Sequence, residues 1–267
     1  MKSKNGFLKI QSAFSALVIP VSFVIAELVF QLIMGASGHF QGNNPANAPI
    51  PGDFLGVIYK GGFIVPVIMT LLLTVIAFSI ERFFTINKAG GKGSAVKFVE
   101  SIKGFLVKND INSAIAECDR FQGSIGSVSK AALLKYQMLE KDTNMTKEQK
   151  LLDITKNIEE ATSLELPSLE QNLPILATIS SIATMMGLLG TVLGMIRSFA
   201  AMANAGAPDS VALSTGISEA LINTAFGIGT GALAIIAYNF YTTKIDKLTY
   251  SIDETGYSIV QTFAAKH

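Results

Sequence analysis

The chain has 267 residues, 49% of them apolar and only 15% charged, where a water-soluble domain carries about 25% charged residues. That surplus of apolar side chains points to several membrane spans. A net charge of +1 without any Lys/Arg cluster excludes a nucleic-acid footprint, and a single cysteine, Cys118, excludes an internal disulfide. With two histidines, one of them the terminal His267, no metal site is expected and no cofactor is implied.

The first apolar stretch, residues 13–34, follows Lys2, Lys4 and Lys9 and contains Glu27. A secretory signal shares the basic start, but its apolar core is only roughly 7–15 residues long. Ala46-Asn47-Ala48 resembles a cleavage site yet lies too far beyond the apolar run, so 13–34 is expected to be a retained span. A bilayer core takes roughly 20 apolar residues as helix, and residues 61–80, 173–196 and 220–243 also meet that requirement. Lys and Arg are absent from 35–54 and from 203–214, while Arg82, Lys88, Lys92, Lys97, Lys103 and Lys108 follow the second span. Lys244, Lys247 and Lys266 follow the fourth. This alternation puts both termini in the cytoplasm.

The insert from Glu81 to Gln171 is charged and helix-prone. Ile111, Ala114, Ile115 and Cys118 recur at helical spacing. Asn109 or Asp110 would cap this helix, and Gly123 and Gly126 would break it. A second helix is expected over 127–139. A third starts near Thr146, with Glu148 and Gln149 in its first turn, and runs toward the third span, interrupted by Pro167 and Pro174. The insert has no Gly-rich phosphate loop and no Ser/His/Asp arrangement, so an enzyme is not indicated.

In the third span Gly187, Gly190 and Gly194 lie at close-packing spacing, as do Gly227 and Gly231 in the fourth. Thr178, Ser181, Thr184 and Thr191 lie along the third span, and Asn223, Thr224 and Thr230 along the fourth. Thr184 and Thr191 share a face, as do Glu219, Asn223 and Thr230. Such hydroxyls either bond their own i−4 carbonyls or line a path for a cation or proton, since each can donate and accept. Glu219, at the outer start of the fourth span, is either a dipole-stabilised helix acid or a contact for a passing cation. Glu27 is costly in lipid, and its alternatives are a functional role or a bond to a neighbouring helix. Arg197 reaches the outer interface.

Three runs carry a resemblance: Leu166-Pro-Ser-Leu-Glu-Gln-Asn-Leu-Pro-Ile-Leu-Ala-Thr178, Gly187-Leu-Leu-Gly-Thr-Val-Leu-Gly-Met-Ile196, and Gly216-Ile-Ser-Glu-Ala-Leu-Ile-Asn-Thr224 with Ala237-Tyr-Asn239. Together with the 110–120 segment they resemble the ExbB/TolQ/MotA proton-channel family, most nearly ExbB and TolQ, over 61–240. The resemblance implies an all-α, multi-pass membrane helix bundle whose long helices extend into a cytoplasmic helical domain. It also implies a homo-pentamer in the bacterial inner membrane around a dimer of a single-span ExbD-like protein, passing work to a TonB-like protein. The family's pore threonines match Thr191 and Thr224, and its functional acid matches Glu219. Many members carry prolines where this chain has Thr184 and Leu233, and the extra span 13–34 lies outside the usual three-helix plan. The expected division is 1–54 for the extra span and periplasmic loop, 55–85 for the second span and 86–171 for the cytoplasmic domain. Residues 172–243 are expected to form the pore and 244–267 a cytoplasmic C-terminal helix. A TolQ-like, gliding or flagellar-type motor subunit, or a non-conducting assembly protein, are the alternatives.

Overall fold

A computed structural model of the chain describes residues 16–204 and 210–266. The three N-terminal lysines, the expected start of the first span at residue 13, part of the 203–214 connector and His267 lie outside the described residues. The described residues form helices and short turns, with no strand among them. Among the described residues four helical stretches, Ala16–Met34, Ile64–Ala89, Lys147–Ala200 and Gly216–Lys266, are long and apolar enough to cross a membrane. The chain is an all-α membrane helix bundle, and it divides into two compact units, 1–79 with 174–238 and 80–173 with 239–267.

In the first unit, α1 (Ala16–Met34) ends in a π-helical turn, Val29–Met34. It buries Ala26, Phe30 and Met34 against Ile58, Val65 and Met69. The connector is folded. Asp53 caps the short α2 (Phe54–Tyr59) by accepting the Gly56 N–H at 3.0 Å, and its other oxygen meets His39 Nδ1 at 2.7 Å. The Gly56 N–H, then His39, hold the Asp53 carboxyl below the usual carboxylate range. Lys60 donates to the carbonyls of Pro45 (2.9 Å) and Ala46 (3.2 Å) and lies over the Phe40 ring. Then α3 (Ile64–Ala89) begins after Gly62, whose φ of +73° suits glycine.

The second unit holds α4 (Ala95–Val107), α5 (Ile111–Phe121), α6 (Gly123–Glu140) and α7 (Lys147–Glu170). Asp110 caps α5 by accepting the Ser113 N–H, and the Ser113 hydroxyl, then that N–H, keep its carboxyl low. Ile111, Ala114 and Cys118 are buried, with Ile115 packed beside them, as their spacing predicts. The α5–α6 break falls at Gln122 and Gly123, both at positive φ. Gly126, expected as a breaker, lies inside α6 instead. There a Cβ would come 2.9 Å from the Cys118 carbonyl, so the glycine serves close packing. Thr146 and Gln149 form a capping box at the start of α7. Helix α4, with Phe98, Val99, Ile102 and Leu106 buried, was not anticipated. Phe263 of the last helix closes this core edge-on against Tyr136, their centroids 4.8 Å apart.

The prolines expected to interrupt the third insert helix do not mark the break. Pro167 lies within α7, and Pro174 within the first turn of α8 (Leu173–Asn204), where a missing N–H costs no helical bond. The chain breaks between them, at Gln171 and Asn172, with Asn172 at φ +67°. Fully buried Arg82 braces this break. Its Nη1 donates to the carbonyls of Ser168 (3.1 Å) and Leu169 (3.0 Å), which the end of α7 leaves unpaired. Its Nε and Nη2 pair with Glu81, whose Oε2 also accepts Asn172 Nδ2 at 3.2 Å. The last helix, α9 (Ser210–Lys266), continues past residue 243 without a break.

Candidate functional site

The glycine spacings pack α8 against α9 within one chain, antiparallel. A Cβ at Gly187 would meet the Asn223 carbonyl oxygen at 2.8 Å and the Gly227 Cα at 3.1 Å. At Gly190 it would strike the Asn223 side chain at 2.5 Å, at Gly194 the Ala220 Cβ at 2.9 Å, and at Gly231 the Ser180 carbonyl oxygen at 2.6 Å. All five glycines therefore seat one helix backbone on the other, the contact that small residues permit in a bilayer.

This approach brings Thr191 and Thr224 together. Their hydroxyl oxygens lie 2.5 Å apart, and each is 3.2 Å from the Gly187 carbonyl oxygen. Two hydroxyl protons serve three oxygen–oxygen contacts. Either threonine can donate to the carbonyl while the other donates to its partner's oxygen. The two arrangements interchange by hydroxyl rotation alone, the property a proton relay requires. A groove of about 550 Å³ begins at Thr191 and runs along α8 past Val192, Met195, Ile196 and Phe199.

The remaining polar residues are distributed differently. Thr184 is exposed and bonds the Ser180 carbonyl one turn back, at 3.1 Å. Asn223 is buried and donates to the Gly61 carbonyl at 2.9 Å, which ties α9 to the start of α3. Its Oδ1 and the buried Thr230 hydroxyl have no hydrogen-bond partner among the described residues. Glu219 and Ser218 line a chamber of about 230 Å³ with Lys60, Ile222 and the connector residues 49–52. The face shared by Glu219, Asn223 and Thr230 is thus turned inward in part, to structural contacts, and Thr191 pairs across to α9 rather than with Thr184. Lys60 and Gly61 were missed. Lys60 was legible as a lysine beside a span end that is otherwise free of Lys and Arg.

Antiparallel helices packed on glycine, within stretches long and apolar enough to cross a membrane, define a polytopic helical membrane protein. Residues 127–254 of the chain match the model of the MotA/TolQ/ExbB proton channel family. Its relatives include the Tol-Pal system protein TolQ of Pseudomonas aeruginosa, 26% identical over 68% of this chain and 81% of that protein. The TolQ of Haemophilus influenzae is 36% identical over 33% of this chain and 39% of its own length. The biopolymer transport protein ExbB of Helicobacter pylori is 42% identical over 30% of this chain and 56% of its own. The chain thus spans most of the first relative but under two thirds of the other two.

Proposed function

We propose that the chain is the ring-forming proton-channel subunit of an inner-membrane motor of the ExbB–ExbD type, which uses the proton motive force to energise TonB-dependent outer-membrane transport. The observation that carries this reading is the Thr191–Thr224 hydroxyl pair, 2.5 Å apart on glycine-packed helices inside the family segment. Five copies surround a dimer of a single-span ExbD-like protein. Thr191 and Thr224 hand protons to that partner's membrane aspartate, and Glu219 attracts them at the outer mouth. Asn223 and Thr230 offer further acceptors, and the exposed Thr184 faces the ring interior. One charge crossing 100 mV releases about 2.3 kcal/mol, which the partner passes to a TonB-like protein as movement.

The Lys/Arg asymmetry of the connectors supports a cytoplasmic placement of both termini and of residues 86–171 and 244–267. In this arrangement 1–54 supplies the extra span and periplasmic loop, 55–85 the second span and 172–243 the pore. A TolQ-like subunit is the second reading, since the relatives bear both the TolQ and the ExbB name. The companion protein separates the two. Extraction in mild detergent, followed by native mass spectrometry, is expected to find five copies with a small single-span protein bearing a membrane aspartate. Its relation to ExbD or TolR then selects the system. A homo-oligomer without any such companion would contradict the motor reading.

A further inference from the structure

The connector between α1 and α3 is a folded cap that lies over α9 at Ser218, Glu219 and Ile222. Phe40 and Pro49 face each other in an antiparallel bridge. The Gln41 N–H donates to the Ala48 carbonyl and the Ile50 N–H to the His39 carbonyl, both at 3.0 Å. This turn presents residues 49–52 to the chamber of about 230 Å³ that Glu219 lines. Such a volume has room for several waters, each taking about 30 Å³ in the liquid. Lys60 and Glu219 are the two ionisable side chains of its lining. Lys60 is held there without being neutralised. Its ammonium donates to the carbonyls of Pro45 at 2.9 Å and Ala46 at 3.2 Å and lies 5.5 Å from the Phe40 ring centroid, and none of these partners is an anion. Asp53, the single carboxylate of residues 35–60, is committed to the Gly56 N–H and to His39. The one anion that shares the chamber with Lys60 is Glu219.

A hard metal cation must exchange its water shell for about six oxygen ligands. In this chamber it would do so beside a fixed ammonium, a like charge whose repulsion grows as water is removed. A proton needs a single carboxylate oxygen, to which it bonds covalently. We infer that Lys60 is the specificity-determining residue of the chamber, which admits protons to Glu219 and excludes metal cations. Fixed charge at a narrow mouth is a general means of such selection. The inference rests on the reading of Glu219 as the outer contact of a proton path. Within it Lys60 acts by its charge, and its bonds to the connector serve to hold that charge in the chamber.

The test uses the full-length protein in its detergent-extracted complex, with Ser218→Cys as a reporter in the chamber; the native Cys118 is buried. Its modification rates with a cationic and an anionic methanethiosulfonate reagent of similar size, each divided by the rate for a free thiol, are compared at about 10 mM salt, where screening is weak. The cationic reagent is expected to hold no advantage over the anionic one, although Glu219 is adjacent. Adding Lys60→Met is expected to raise the cationic-to-anionic ratio about tenfold, since the lost charge acts in opposite senses on the two reagents. Lys60→Arg is expected to leave the ratio as it was. A cationic preference in Ser218→Cys alone overturns the assignment without recourse to any Lys60 variant. So does a ratio unmoved by Lys60→Met, the result that a lysine serving only to hold the connector would give even if both rates rose. In liposomes, replacing choline by Na⁺ at constant ionic strength is expected to leave the proton flux of the unaltered complex intact and to depress that of Lys60→Met. Flux equally insensitive to Na⁺ in both would overturn the assignment as well. An unaltered complex without proton flux would instead contradict the proton-channel reading, a failure that the thiol ratio does not share.

Discussion

Alanine at Gly227 would place its Cβ 2.5 Å from the Ala183 carbonyl oxygen and 2.7 Å from the Gly187 Cα. Ordinary contact begins near 3.4 Å, and both neighbours are backbone that no rotamer change can move aside. Restoring contact from 2.5 to 3.4 Å requires α8 and α9 to part locally by about 0.9 Å. Thr224 is one turn from Gly227. The same shift would stretch its 2.5 Å contact with Thr191 to about 3.4 Å, outside hydroxyl hydrogen-bond range. Overpacking of this kind costs about 1–3 kcal/mol. Gly229→Ala is the matched control. Nothing lies within 4 Å of its Cβ position, so alanine there should gain up to about 1 kcal/mol of helix propensity. Thermal unfolding in detergent, paired with proton flux into liposomes holding the co-purified complex, measures both effects. Gly227→Ala should lose stability and most of the flux, and Gly229→Ala neither. Similar behaviour of the two variants would refute the close-packing argument.

Three further outcomes follow from the second unit and the connector. Arg82→Met leaves Glu81 partly buried and without its guanidinium, together with the carbonyls of Ser168 and Leu169. It should cost about 3–5 kcal/mol in denaturant unfolding, with Arg82→Lys recovering only part; a loss below about 1 kcal/mol would contradict the brace. Burial pushes the Cys118 thiol up to about 12. Iodoacetamide at pH 8 should therefore modify it only after unfolding, and rapid labelling of the native protein would count against the described core. Asp53 and Asp110 are held low in the folded chain. Their stabilisation is therefore complete above the ordinary carboxylate pKa of about 4 and fades as pH falls through the lowered values. Asp110→Asn keeps an acceptor for the Ser113 N–H but does not titrate. It should flatten that limb of an acid titration followed by circular dichroism, whereas an unchanged acid limb would disprove the cap's part in it.

The spans were legible because length and apolarity alone decide whether a helix suits a bilayer. Helix α5 was legible because a half-exposed helix displays its buried face every three to four residues. Helix α4 carries the same signal in Phe98, Val99, Ile102 and Leu106. There Lys97 and Lys103, interspersed among the apolar positions, dilute that signal. The breaks were harder. Pro167 and Pro174 carry a local signal, but the chain turns at Asn172, whose left-handed backbone is paired with Glu81, 91 positions away in sequence. Arg82 read as one more cytoplasmic charge and proves fully buried. In the site, the glycine spacing disclosed which helices approach closely. Only their antiparallel register shows that Thr191 meets Thr224 while Asn223 turns to Gly61.

The most direct test of the proposed proton path is flux through Thr224→Val beside Thr224→Ser. Both are measured in liposomes containing the complex extracted with its companion, under an imposed pH gradient and membrane potential. Valine matches the size of threonine without its hydroxyl, and serine keeps the hydroxyl. Assembled Thr224→Val complexes should conduct far less than the unaltered protein, with most of the flux retained in Thr224→Ser. Unaltered flux through an assembled Thr224→Val complex would contradict the role given to the hydroxyl pair.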